Sequence, residues 1–314
     1  MEKVTLREFT GEVLGTFILV FFGLGSVAVE VATPVTLGLP VIALIWGGAV
    51  ALAIYLVGPM SGAHINCAIT LAFACWTRFP WRKVPGYFAA QFLGAMLGAG
   101  VVYLCFREAI AGFEDGAGII RGAPGSEASA KIFGEFFGTS PLLKALIWES
   151  AGTFLLAFAV FWLVRATKRW GAEKFLPILI GLWLALLIWV VAPVTQAGFN
   201  PARDLGPRLV SYFLGWGRWV FEANGWGWLV VYVVGPSAGA VVGAAMGLGG
   251  RRLYSRAFFV LTGFSLLWFG VVRITSPLRQ VEIENGSLGE LSDHALLVSE
   301  WRLPEGGSGR SEQR

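Results

Sequence analysis

Glu12-Val13-Leu14-Gly15-Thr16-Phe17 returns 137 residues later as Glu149-Ser150-Ala151-Gly152-Thr153-Phe154, and both copies lie near the start of a long apolar run. Two more elements come back in the same order. Asn66 is matched by Asn200 at an offset of 134, and Gly94-Ala95-x-x-Gly98-Ala99 by Gly239-Ala240-x-x-Gly243-Ala244 at an offset of 145. Gly-Ala pairs alone would mean little in a glycine-rich chain. Three ordered matches at similar offsets divide the sequence into two like halves, so whatever the first half folds into, the second must repeat.

A helix needs about 20 apolar residues to cross a bilayer. Six stretches meet that length, roughly 11–31, 38–58, 84–106, 145–164, 175–195 and 226–249. Each half holds three of them, and an odd number of spans forces the second half to enter the membrane inverted relative to the first. Two more apolar stretches, 66–77 and 200–216, are too short. At about 1.5 Å per residue, about 10 to 12 helical residues cover only half the hydrocarbon thickness. The predicted fold is an all-α membrane protein of six transmembrane helices and two re-entrant half-helices that dip in from opposite faces, their N-termini meeting near the midplane. Residues 1–110 form the first inverted repeat, 111–144 an extracellular loop and 145–250 the second repeat. Residues 251–279 hold a basic cluster and room for an extra helix, and 280–314 a polar tail expected to be disordered.

Composition agrees with the membrane reading. Hydrophobic residues make up 56% of the chain and charged ones 14%, with 42 glycines among them. Small residues at that density serve close helix packing in lipid, where Leu against Leu gains little over Leu against an acyl chain. A net charge of +4 is too modest to indicate a nucleic-acid-binding surface. Cys67, Cys75 and Cys105 all fall in or beside apolar runs, which argues against a disulfide framework. Met1 to Phe9 is polar and charged, and the apolar run after it is too long for a cleaved signal core. Basic residues at 3, 7, 78, 82, 83, 165, 168, 169, 174, 251, 252 and 256 all fall on one side of the predicted spans, which the positive-inside rule makes cytoplasmic. Both ends of the six-span core are then expected inside, in the plasma membrane.

The two short segments open on GAHINCAIT (62–70) and GFNPARDLG (198–206). Asn is a favoured N-cap: its side-chain oxygen accepts from a backbone N–H of the first turn, leaving its NH2 donors for another partner. If Asn66 and Asn200 cap half-helices that meet end to end, their donors face a common space, where the positive ends of both helix dipoles add. An oxygen lone pair of water or an alcohol is welcome there, whereas a cation or hydronium is repelled.

These motifs, with the repeated Glu-x-x-Gly-Thr and Gly-Ala-x-x-Gly-Ala elements, resemble the aquaporin and glycerol-facilitator (major intrinsic protein) family over residues 8–250, and the electrostatic barrier just described is the accepted account of such pores. The resemblance implies a filter on the extracellular side of the Asn pair. Trp46 and Arg203 match the filter Trp and Arg of glycerol channels. Ile188 stands where those channels have a Gly, and Ala197 where they have a Phe. The set Trp46, Ile188, Ala197, Arg203 is closer to plant nodulin-like members, associated with glycerol, water and other small uncharged solutes. Water-selective members usually carry His at the Ile188 position, so strict water selectivity is not expected.

Other matches are carried over singly. Asp204 resembles the Asp that marks glycerol-type members, and it equally fits an acid stabilised in the first turn of a helix. Pro201 and Ala202 complete the second motif; in the first, Cys67 and Ala68 follow Asn66, so Cys67 replaces the expected Pro. Cys gives up the preset backbone angle of Pro at the first helical position but leaves the cap in place. A thiol at a helix N-terminus can also be reactive, which would expose Cys67 to mercurials from the pore unless it is buried. Glu12 and Glu149 could suggest a proton relay; the resemblance implies instead that they hold the loops before the half-helices. His64 could line the vestibule or simply pack in its loop. Residues 257–272 form an apolar run at the short limit for a span, and an interfacial helix is favoured over a seventh crossing; a brief helix is also expected near 291–301.

The sequence is therefore read as a passive channel for glycerol and other small neutral solutes, with water, embedded in the lipid bilayer. The resemblance implies a homotetramer; no cofactor, metal or nucleic-acid partner is expected, and no catalytic constellation recurs in the spans. A same-fold channel for water, ammonia or metalloid acids is the nearest alternative. An ion-coupled transporter would need a titrating or cation site beside the Asn pair.

Overall fold

The computed structural model describes residues 3–249; the expected basic cluster after 250, the helices expected at 257–272 and 291–301 and the polar tail all lie outside the described residues. The described chain is helical, with six helices long and apolar enough to cross a membrane. In the first half these are α1 (Leu6–Ala32), α2 (Gly38–Ser61) and α4 (Val84–Ala117), with the short α3 (Cys67–Trp76) between the last two. The second half repeats the order. After a short α5 (Glu127–Ala130) come α6 (Leu142–Trp170), α7 (Leu176–Thr195) and the short α8 (Pro201–Ser211). A single-turn α9 (Trp219–Glu222) precedes α10 (Gly227–Leu229), which continues through a π turn into α11 (Gly235–Gly247) and makes the sixth span.

Among the described residues the expected helices are present, with several ends shifted. Helix α4 does not stop near Phe106 but runs to Ala117. Its Arg107 and Glu108 are exposed, and charges in water do not end a helix that needs no burial there. The second short segment is helical only as far as Ser211; residues 212–216 form a π turn in which Gly215 takes φ 111°. Apolar residues face outward as well as inward. Leu182, Leu186 and Trp189 of α7 are exposed while Ile180, Leu184 and Ile188 on the same helix are buried, the distribution of a helix with lipid on one side and protein on the other.

Spans pack where glycine lets backbones meet. A Cβ on Gly94 of α4 would lie 2.3 Å from the carbonyl oxygen of Val13 in α1, and one on Gly243 of α11 would lie 2.1 Å from that of Phe154 in α6. These are equivalent helix pairs of the two repeats, and the recurring Gly-Ala motif supplies the small faces. Gly47 of α2 and Gly181 of α7 meet the same way across the two halves. At its start, α1 is held by a capping box between Thr5 and Glu8, and Glu8 also takes Lys83, just before α4, at 2.7 Å.

Gly243→Val must push α11 off α6, so it is expected to cost at least about 1–3 kcal/mol of stability. Gly100→Ala, at a position with nothing within 4 Å, should instead be neutral or gain about 0.5–1 kcal/mol. Thermal unfolding in detergent checks both.

Candidate functional site

Both short helices begin on an Asn, and each Asn is held in three directions. Asn66 Oδ1 accepts from the N–H groups of Ala68 (2.8 Å) and Ile69 (3.3 Å), and its Nδ2 donates to Phe199 O at 2.9 Å. Asn200 Oδ1 accepts from Ala202 N at 3.1 Å, and its Nδ2 donates to Ile65 O at 2.8 Å. Each amide therefore grips the loop preceding the other. The crossed pair brings the N-termini of α3 and α8 together and leaves the second hydrogen of each NH2 for the cavity that both residues line. Cys67 adds a long contact, its N–H lying 3.4 Å from Asn200 Oδ1; Pro at that position would have no hydrogen to offer.

The loops before the two Asn residues are non-helical and would leave polar backbone stranded without partners. Glu12 supplies them in the first half: Oε1 accepts from Ser61 Oγ (2.6 Å) and His64 N (2.9 Å), and Oε2 from Ile65 N (2.7 Å) and Gln91 Nε2 (2.7 Å). Glu149 does so in the second, accepting from Thr195 Oγ1 at 2.6 Å and from Phe199 N. Tyr87 OH donates to Ser61 O (2.8 Å) and Tyr232 OH to Thr195 O (2.9 Å), fixing the last turn of the helix before each loop. These two tyrosines are absent from the sequence reading, yet they stand 145 residues apart, the offset of the Gly-Ala motif on the same helices. Ala63, Ile65, Ala197 and Phe199 all take positive φ between 44° and 62°. Such left-handed backbone costs a non-glycine residue roughly 1–2 kcal/mol; the bonds just described hold it.

One cavity runs past this joint. Its polar groups come from residues 62–66 and 197–200 and from Arg203, and its apolar ones from the spans, among them Leu19, Val50, Leu156, Ile180 and Ile188. Trp46, Asn66, Ile188, Ala197, Asn200 and Arg203 all line it. The Arg203 guanidinium lies 4.2 Å over the Trp46 ring, and Trp46 fits because Gly23 has no side chain: a Cβ there would fall 2.4 Å from the indole. His64 also lines the cavity and stacks on Phe73 at 4.4 Å, with Nδ1 3.2 Å from Thr70 Oγ1.

Ala68, Pro201, Ala202 and Asp204 stand back from the lumen. Ala68 and Ala202 are fully buried in the first turns of α3 and α8, where small side chains let the two ends meet. Pro201, at the first position of α8, is buried as well. Asp204 is completely buried and points at protein, accepting from Arg208 (2.8 and 3.1 Å) and from Glu135 N (2.7 Å). That leaves it a structural part to play and no opening to solute.

The model of the major intrinsic protein family matches residues 1–246. The chain belongs to the major intrinsic protein family. Among its relatives, the glycerol uptake facilitator protein of Pseudomonas aeruginosa is 36% identical over 245 residues, 77% of this chain and 86% of that protein. Aquaporin NIP1-1 of Oryza sativa is 35% identical over 76% of this chain and 72% of its own length. The X-ray structure of the aquaglyceroporin from Plasmodium falciparum superposes with a TM-score of 0.67 at 28% identity, covering 78% of this chain and 96% of that one. The all-helical membrane fold with six long apolar helices is thus the aquaporin-like one.

Cys67 is 1% exposed and is not among the residues lining the cavity, which favours an inert thiol over one reached from the pore. A mercurial is therefore expected to change solute flux in neither the native protein nor a Cys67→Ser variant, each compared with its own untreated sample. Inhibition abolished by the Ser substitution would show that the thiol is reached.

Proposed function

We propose that this member of the major intrinsic protein family is a passive transmembrane channel for glycerol and other small uncharged solutes, with water as co-permeant. The observation that carries this reading is the cavity past the crossed Asn pair. Backbone acceptors, two amide donors and one guanidinium serve hydroxyl groups, and aliphatic side chains accept the carbon skeleton between them. The glycerol uptake facilitator and aquaglyceroporin names among the relatives support it. The protein is a channel and not an enzyme.

In this reading Trp46, Ile188, Ala197 and Arg203 form the selectivity filter, Asn66 and Asn200 the central donor pair, and Glu12 and Glu149 the scaffold with Cys67, Ala68, Pro201, Ala202 and Asp204. Residues 1–110 and 145–250 act as inverted repeats joined by the 111–144 connection. The N-terminus is assigned to the cytoplasm by the charges at 3, 7, 78, 82, 83, 165, 168, 169 and 174, the protein to the plasma membrane, and the assembly to a homotetramer with a pore in each subunit.

Stopped-flow light scattering on proteoliposomes tests the function. Glycerol and water should equilibrate faster than in protein-free vesicles, without saturation and without dependence on a proton gradient. Saturable uptake driven by such a gradient would instead establish an ion-coupled transporter. Ile188→His, which places a bulky polar ring in the filter, should lower glycerol flux by roughly tenfold or more while water flux persists.

A further inference from the structure

The connection between α4 and α6 comes back into the protein. Ile132 and Phe133 have no exposed surface, and Glu135 is 4% exposed. Arg121 fastens the early part, with Nε 2.8 Å from Glu114 Oε2 and its guanidinium 4.1 Å over the Trp216 ring. Arg208 Nη2 and Asp204 fasten the later part through the carbonyl and N–H of Glu135, and Gln196 Oε1 accepts from Phe136 N at 2.7 Å. The backbone at Glu135 is thereby fixed against the start of α8, and its carboxylate forms an ion pair with Arg203 Nη1. That nitrogen finds no other acceptor among the described residues. The aliphatic part of Glu135 also lies beside Gly198 of the cavity lining, where a Cβ would sit 3.6 Å from Glu135 Cγ.

We propose that Glu135, the counter-charge of Arg203, sets the flux of this channel, and that gain or loss of its proton switches the filter between an ion pair and a lone guanidinium. The inference rests on the channel reading above. The local charges single out Glu135. Its surroundings contribute Arg203, Asp204 and Arg208 from α8, Glu149 from α6 and the Tyr232 phenol from the π turn before α11, while Lys131 lies on its own segment. Asp204 is held by Arg208, and Glu149 by a hydroxyl and a backbone N–H. Among the described residues, Glu135 has Arg203 alone for its carboxylate.

Burial pushes the Glu135 carboxyl up, to about 8, against the pull of Arg203. The sign follows. Below that pH the acid is neutral and Arg203 presents its full charge to a passing oxygen; above it the pair forms and the grip weakens. Conduction requires binding loose enough to release, so flux is higher on the alkaline side.

Proteoliposomes containing the full chain, assayed by stopped-flow for glycerol and for water, test this. Both fluxes should rise at least about threefold between roughly pH 6.5 and pH 9, with a midpoint near about 8. Glu135→Gln should stay at the acid-side level throughout. Glu135→Asp, which keeps the charge on a shorter stem, should keep the step with a displaced midpoint. A flat native profile overturns the inference, and so does a Gln variant that retains the step, since the titrating group would then be another. If the Gln variant fails to insert, the native profile and that of Glu135→Asp still decide. Absence of glycerol flux at every pH would be a different result, refuting the channel reading itself.

Discussion

The centre of a bilayer offers no water to a broken helix, so every peptide group exposed by the break needs a protein partner. This chain breaks twice, between α2 and α3 and between α7 and α8. Glu12 and Glu149 reach in from α1 and α6 to take the stranded N–H groups, and Tyr87 and Tyr232 reach in from the third span of each half to take a carbonyl. Neither repeat completes its own joint. The Asn of each half-helix donates to the loop of the other, so the two breaks are stable as a pair, and the cavity exists because they are.

That joint also explains the chemistry of the cavity. Two short helices of 10 and 11 residues direct their N-termini at one spot, where their partial positive charges add and discourage cations. The same left-handed turns that bring the chain to each cap leave backbone along the lumen at residues 62–65 and 197–199. Arg203 stands one turn into α8 and faces Trp46 from α2. Its position is thus inherited from the joint, and Asp204 beside it is turned to the long connection instead.

Much of this was legible from the chain because the duplication writes each element twice. The offsets of 134 and 145 name the Asn caps and the packing glycines, and the offset of 145 also relates Tyr87 to Tyr232. That pair is hard to notice, since an isolated Tyr in an apolar run reads as lipid-facing until its hydroxyl is seen to have a buried partner. Glu135 was not legible. It sits among mixed charges in a connection with no counterpart in the other half, and composition there indicates only exposure. Cys67 reads from sequence as a thiol at a helix tip; whether that tip faces lumen or protein depends on the neighbouring helix end.

Sequence alone determined the six spans of the described residues, the inversion of the halves and the identity of the capping residues, because span length, odd span count in each half and N-cap chemistry are local properties that do not depend on what packs where. Only the tertiary structure decided which polar groups meet: the crossing of the Asn amides, the burial of Cys67 and the pairing of Glu135 with Arg203. Those contacts join residues tens of positions apart or more, and their geometry is set by how closely glycine-lined helices approach, which no local pattern encodes.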